Sequence, residues 1–260
     1  MRMLDVLRLV WFDLKHELYP PVWIGLEWFS FSAQIFMYGA LMSQLVNIPG
    51  IPNYQQFYAV GFVVMMTFDV GSHAGREFVE AAHEGRLPYL LSLPISRSKL
   101  FLSIALKGGL ELALMLMVPF GIILAMIGNL TLVSMAAAAA TLFFLGFGIA
   151  GLMLGLSFIA FKSSDMYSAI TTGLSALLIR FSTVMYPLMF LARASPGYEV
   201  VARFSPLTYG ADLAHLFLGF DPGMLLNPTI AVAVLTALAV STLGVCTFLL
   251  QRLVEGVKSG

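Results

Sequence analysis

Three carboxylates, Glu77, Glu80 and Glu84, fall three or four positions apart in the stretch REFVEAAHEGRLPYLLSLPISRSK, residues 76–99. Such spacing puts them on one face of a helix, and a face of that kind can hold a cation, move a proton or meet a charged partner. A metal site would need His or Asp side chains beside them at ligand spacing. Only His83 stands among them and no Asp, too few for such a ligand set, so no metal is expected and partner recognition is the better reading. Asp69 with His73 is the nearest thing to an acid–base pair, but a membrane-embedded enzyme of lipid transfer would need more Asp, His or Ser at the same depth. Lys107 and Glu111 stand four apart within an apolar run, and the spacing predicts that they pair with each other. Arg180 lies deep in another apolar run. Either it snorkels outward, or it faces a water-filled cavity and an anionic substrate group.

The absent motifs narrow the chemistry further. No G-x-x-x-x-G-K-[ST] string occurs, so this chain is not expected to bind nucleotide phosphates through a P-loop. Neither H-E-x-x-H nor G-x-S-x-G is present, which removes the usual support for zinc-protease and hydrolase readings. The single cysteine, Cys246, excludes an internal disulfide and a multi-cysteine metal site. No catalytic residue and no cofactor on this chain is expected.

The elements that position these residues are membrane elements. Hydrophobic residues make up 59% of the 260, charged residues 11%, and the mean hydropathy is +0.90. Soluble domains carry about 25% charged residues. A net charge of zero argues against a nucleic-acid footprint. Six runs reach the roughly 20 apolar residues that a crossing needs: 22–46, 57–75, 100–127, 132–161, 166–191 and 225–250. Tyr186-Pro187 predicts that the fifth breaks soon after Arg180. In the fourth, Gly151 and Gly155 permit close helix approach, either to another span of this chain or across a dimer seam.

Residues 1–18 set Leu4, Leu7, Trp11, Leu14 and Leu18 at helical spacing among charges, which predicts an amphipathic interfacial helix rather than a signal peptide. With the N-terminus inside, ten Lys and Arg fall in inner segments and two in outer ones. That bias places both termini and residues 76–99 in the cytosol of a multi-pass plasma-membrane protein. Within 76–99, a helix is predicted over 76–84 with Gly85 as its stop, then a short apolar helix ended by Pro94. In the outer segment 192–223, Ser205 and Pro206 read as an N-cap and first helical residue and Gly219 as a C-terminal cap. Short helices dipping back into the membrane are expected there. The fold class is therefore an all-α integral membrane protein of one transmembrane domain, 1–260.

Two strings carry a family resemblance. Glu80, Gly85, Leu87, Leu90, Leu91, Pro94, Ile95, Ser96 and Arg97 match a pattern like E-x4-G-T-L-E-x-L-L-x-x-P-[VIL]-S-R, with Arg86 and Pro88 departing from it. Tyr186-Pro187 and then Ser205-Pro206-Leu207-Thr208-Tyr209 with Asp212 are similar to Y-P…N-P-L-T-Y-x-x-D-x-x-R, with His215 in place of the arginine. In that order within six runs, the chain resembles the type-2 ATP-binding-cassette (ABC) exporter permeases. The resemblance implies a transmembrane permease subunit without its own ATPase. Separate ABC ATPase subunits would carry ATP and Mg, and a second permease subunit would complete a homodimer or heterodimer. It further implies a coupling site at Glu77, Glu80, Glu84, Gly85, Leu87, Leu90, Leu91, Pro94, Ser96 and Arg97. A substrate path would pass near Arg180, Thr183 and Tyr186, for a lipid-like, drug-like or otherwise amphipathic cargo. The alternatives are a lipid-modifying membrane enzyme, or an assembly protein that binds an ATPase and transports nothing.

Overall fold

The computed structural model describes residues 10–11, 14–15, 21–48, 51, 53–86, 92, 97–160, 163–220 and 227–258. These residues are helical with short connections and contain no strand. Named in order, the helices are α1 (Pro21–Leu45), α2 (Tyr54–His83), α3 (Arg97–Ile127), α4 (Leu132–Ile159), α5 (Ser164–Arg180), α6 (Leu188–Ala194), α7 (Pro196–Phe204), α8 (Pro206–Phe217) and α9 (Pro228–Lys258). Among the described residues, three helical segments are long and apolar enough to cross a membrane: Tyr54–His83, Leu106–Ile127 and Leu132–Ile159.

Helix α2 is the centre of the bundle, packed on α1, α3, α4, α5 and α8. Its side chains Phe57, Phe62 and Phe68 are fully buried. Neighbouring helices alternate in direction. Gly71 and Gly75 of α2 lie beside Ile149 and Met153 of α4, so those two run parallel. Gln56 and Glu77 of α2 meet Met126 and Lys107 of α3, so that pair is antiparallel.

The sequence predicts a span ending at Gly75 and a separate helix over 76–84. Instead α2 is continuous through Gly75 to His83. A glycine inside a helix costs only about 1 kcal/mol relative to alanine, and here close packing explains it. A Cβ on Gly75 would overlap the Tyr167 hydroxyl, which donates a hydrogen bond to the Ser72 carbonyl (2.7 Å). At 30 residues and 1.5 Å rise per residue, α2 is about 45 Å long. It thus exceeds a hydrocarbon core of about 30 Å by roughly ten residues. Its last turns carry Glu77, Glu80 and, at the C-cap, Glu84.

The glycines of α4 pack within the chain. Gly146 faces Leu112 of α3, while Gly148 and Gly151 face Leu238 and Thr242 of α9. The predicted break in the fifth run follows Arg180: α5 stops there, residues 181–187 turn, and α6 begins at Leu188. Chain termination at the other end of α8 follows the expected rule. Gly219 adopts φ +91°, its N–H donates to the Leu216 carbonyl, and the Phe220 N–H donates to the His215 carbonyl. Those two bonds form a Schellman cap. Pro206 opens α8, but the Ser205 hydroxyl makes no cap bond and donates instead to the Leu178 carbonyl of α5 (2.9 Å). Thr131 supplies a cap that the sequence reading missed, accepting from the Ser134 N–H (3.1 Å) at the start of α4. Of the amphipathic stretch 1–18, Val10 and Leu14 are buried and Trp11 is exposed. Lys15 is exposed as well, and residues 1–9, 12–13 and 16–18 lie outside the described residues.

Candidate functional site

The site is built on the end of α2. Glu84 is its C-cap, and the Glu84 N–H donates to the Glu80 carbonyl (2.9 Å). Gly85 follows at φ +72°, a left-handed conformation that glycine adopts without the Cβ clash of other residues. The chain is thereby turned off the helix axis where the helix–glycine reading predicts it. Glu84 and Arg86 form an exposed ion pair (2.6 Å), of the kind worth at most about 1 kcal/mol. Leu87, Leu90, Leu91, Pro94, Ile95 and Ser96 lie outside the described residues, as do residues 88 and 89. Arg97 is the first residue of α3.

Directly behind that end, α2 is tied to α3. The Lys107 ammonium donates to Glu77 Oε2 at 2.6 Å, and Glu111 Oε1 faces His73 Nδ1 at 3.5 Å. The expected Lys107–Glu111 pair is thus corrected: each residue reaches a partner on α2. Both point from α3 toward the neighbouring helix, where Glu77 and His73 sit one turn apart at matching depth. Lys107 and Glu111 are buried, whereas their partners Glu77 and His73 are a third to a half exposed, so solvent screens the tie in part. Lys107→Met should leave the Glu77 carboxylate without its ammonium and destabilise the fold by about 1 kcal/mol. Adding Glu77→Gln should return most of that loss, a coupling that a thermal-melt double-mutant cycle measures.

Between α1, α2 and α3 at the same end opens a cavity of about 430 Å³. Glu27 of α1, Asp69, Glu77 and Glu80 of α2, and Glu111 of α3 line it, together with Arg76 and an apolar wall that includes Trp23 and Phe31. Sequence reasoning singled out Asp69 with His73 as the nearest thing to an acid–base pair. It missed that three helices bring Glu27, Glu77, Glu80 and Glu111 to the same space. Antiparallel α1–α2 and α2–α3 hairpins with acids near the same ends were the available signal.

The opposite end holds the second motif. A Cβ on Gly61 of α2 would overlap the Val184 carbonyl, so the turn after α5 sits directly on the α2 backbone. Thr183 is fully buried, and its hydroxyl donates to Asp212 Oδ1 of α8 (2.7 Å). The Thr208 hydroxyl donates to the Ala202 carbonyl (2.7 Å), and the buried His215 ring stacks on Phe57 at 3.9 Å. Residues 181–187 and α8 are thereby latched to α2. Thr183→Val removes a donor from a buried carboxyl group. It should lower stability by about 1–3 kcal/mol, visible as an earlier thermal transition, whereas Thr183→Ser should melt close to the wild type. Of the three residues expected near a substrate path, Thr183 therefore faces inward. Tyr186 is half-buried, with its ring 6.5 Å from that of Tyr54 and 5.8 Å from that of Phe190. Arg180 is the exposed last residue of α5, where its charge complements the negative end of the helix dipole.

Among the described residues, no three His, Cys, Asp or Glu side chains are grouped to hold a metal ion. Set beside known proteins, the chain matches no protein-family model and no curated protein.

Proposed function

We propose that this chain is the transmembrane permease subunit of an ATP-driven exporter, working with separate ABC ATPase subunits and a second permease subunit. The observation that carries the reading is the acidic end of α2, whose last turns are held in the bundle by the buried Phe78 and Val79. A single rigid helix runs from the latch at Gly61 and Phe57, through the bundle centre, to an acidic tip closed by Gly85. A push on the tip is therefore delivered along the whole helix rather than absorbed by a joint at Gly75. The Lys107–Glu77 contact passes the same displacement to α3. Such an element biases a two-state rearrangement without chemistry of its own.

The alternating helix directions and the two motifs in order support six crossings, with residues 76–99 and both termini on the cytosolic side of the plasma membrane. In this reading Glu77, Glu80, Glu84, Gly85 and the apolar residues that follow meet the ATPase. Arg180 and Tyr186 border the cargo path near α2 and α5. ATP and Mg bind the partner, and this chain is not itself an enzyme. A photo-crosslinking residue at position 84 is expected to capture a P-loop ATPase in native membranes. One at position 204, on the exposed Phe204 at the opposite end, is expected to capture none. Capture at 204 with none at 84 would overturn the proposed docking site.

A further inference from the structure

We infer that the cavity between α1, α2 and α3 binds an organic cation with an apolar body. The inference rests on the exporter reading only in treating that ligand as cargo or a mimic of it. Three separate features lead there. First, its charge is unbalanced. Glu77 is matched by Lys107 and Glu111 faces His73, whereas Glu27, Asp69 and Glu80 have no ion-pair partner among the described residues, with Arg76 the remaining cation on the lining. A cleft with low-dielectric walls focuses such a field and concentrates cations in it.

Second, the space suits a molecule rather than a bare ion. About 430 Å³ falls within the range of small-molecule sites, roughly 300–1,000 Å³. The carboxylates come from three helices and include no group of three fit to hold a metal ion among the described residues. Third, Trp23 and Phe31 supply an aromatic wall beside the acids. An aromatic face attracts ammonium and phosphonium groups through its quadrupole. It also takes up the apolar body that a metal ion or polyamine lacks. Trp23 is largely exposed, so a ligand can reach this wall from outside the bundle.

Tetraphenylphosphonium is the probe, and tetraphenylborate, of the same shape and opposite charge, is its control. Equilibrium dialysis against the full chain in lipid nanodiscs, with empty nanodiscs subtracted, should show saturable binding of about one phosphonium per chain and none of the borate. Asp69→Asn combined with Glu27→Gln should weaken phosphonium binding at least tenfold. Equal binding of both ions, no saturable phosphonium binding, or unchanged affinity in that variant would each overturn the inference. The comparison of the two ions in the wild-type chain requires no variant to fold. Neither substituted residue belongs to the proposed ATPase contact, and no ATPase is present in the assay. Phosphonium binding without crosslinking from position 84 would therefore remove the exporter reading and leave the cation site. Crosslinking without binding would do the reverse.

Discussion

Gly85→Val is expected to reduce ATP-driven transport at least about tenfold while leaving the membrane bundle intact. Gly85 stands at φ +72° directly after the α2 C-cap. The left-handed region costs an ordinary residue roughly 1–2 kcal/mol, and a β-branched side chain suffers more. A Cβ on Gly85 meets nothing within 4 Å, so the substitution is expected to relieve that strain by re-aiming residues 86 onward rather than by disturbing the bundle. A contact loss of only 1.4 kcal/mol is a factor of ten. The expected signature is an unchanged thermal midpoint, retained membrane insertion and ATP hydrolysis that no longer depends on the permease. Gly85→Asn should fall between valine and wild type, since asparagine tolerates this conformation better than other non-glycine residues. Equal transport by all three would show that the direction of the chain after α2 does not matter.

Gly61→Val should have the largest effect on stability. Its Cβ would coincide with the Val184 carbonyl, a backbone atom that cannot rotate aside. Either α2 shifts, which disturbs the fully buried Phe57, Phe62 and Phe68, or the turn over residues 181–187 lifts off and exposes the Thr183–Asp212 bond. Overpacking of a well-filled core costs about 1–3 kcal/mol, occasionally more, and the loss of a buried hydrogen bond adds about 1–3 kcal/mol. We expect the variant to unfold at markedly lower temperature in detergent or to accumulate poorly. Gly61→Ala should show a smaller shift of the same sign. In contrast, Gly173→Ala, where a Cβ meets nothing within 4 Å, should melt at or slightly above the wild type, because alanine is favoured over glycine inside a helix by up to about 1 kcal/mol. A wild-type melting curve for Gly61→Val would contradict the close seating of the turn on α2.

Much of this architecture is written in local signals, which is why it could be anticipated. Apolar run length predicts six crossings, of which three helical segments among the described residues are long and apolar enough to cross a membrane, and Gly85, Pro206 and Gly219 end or open helices as their backbone chemistry dictates. The turn after Arg180 likewise follows from Tyr186-Pro187. Pairings between helices could not be read in this way. Lys107 and Glu111 obey the i, i+4 rule on paper, yet the rotation of α3 about its axis points both toward α2, and rotation depends on packing across the whole interface. Gly75 illustrates the converse. Alone in a sequence it reads as a helix end, whereas in the bundle it is the space that Tyr167 and Met153 occupy. The acidic cavity belongs to the same class, because its carboxylates come from residues up to 84 positions apart in the chain, Glu27 and Glu111.

Arg86 and Pro88, which depart from the pattern that the chain resembles, fall where α2 gives way to the following segment. Arg86 is paired with Glu84 (2.6 Å), so the basic residue that replaces a threonine has a local acidic partner. Residue 88 lies outside the described residues.

The central claim is that α2 and the segment following it receive a stroke from a separate ATPase. Affinity purification of the intact chain from its native membrane in mild detergent, followed by identification of every stoichiometric partner, tests it most directly. The account predicts a P-loop ATPase in equal amount to this chain, with hydrolysis that the Gly85→Val substitution separates from transport. A chain that purifies with no nucleotide-hydrolysing partner, yet remains folded and active in its membrane, would contradict it.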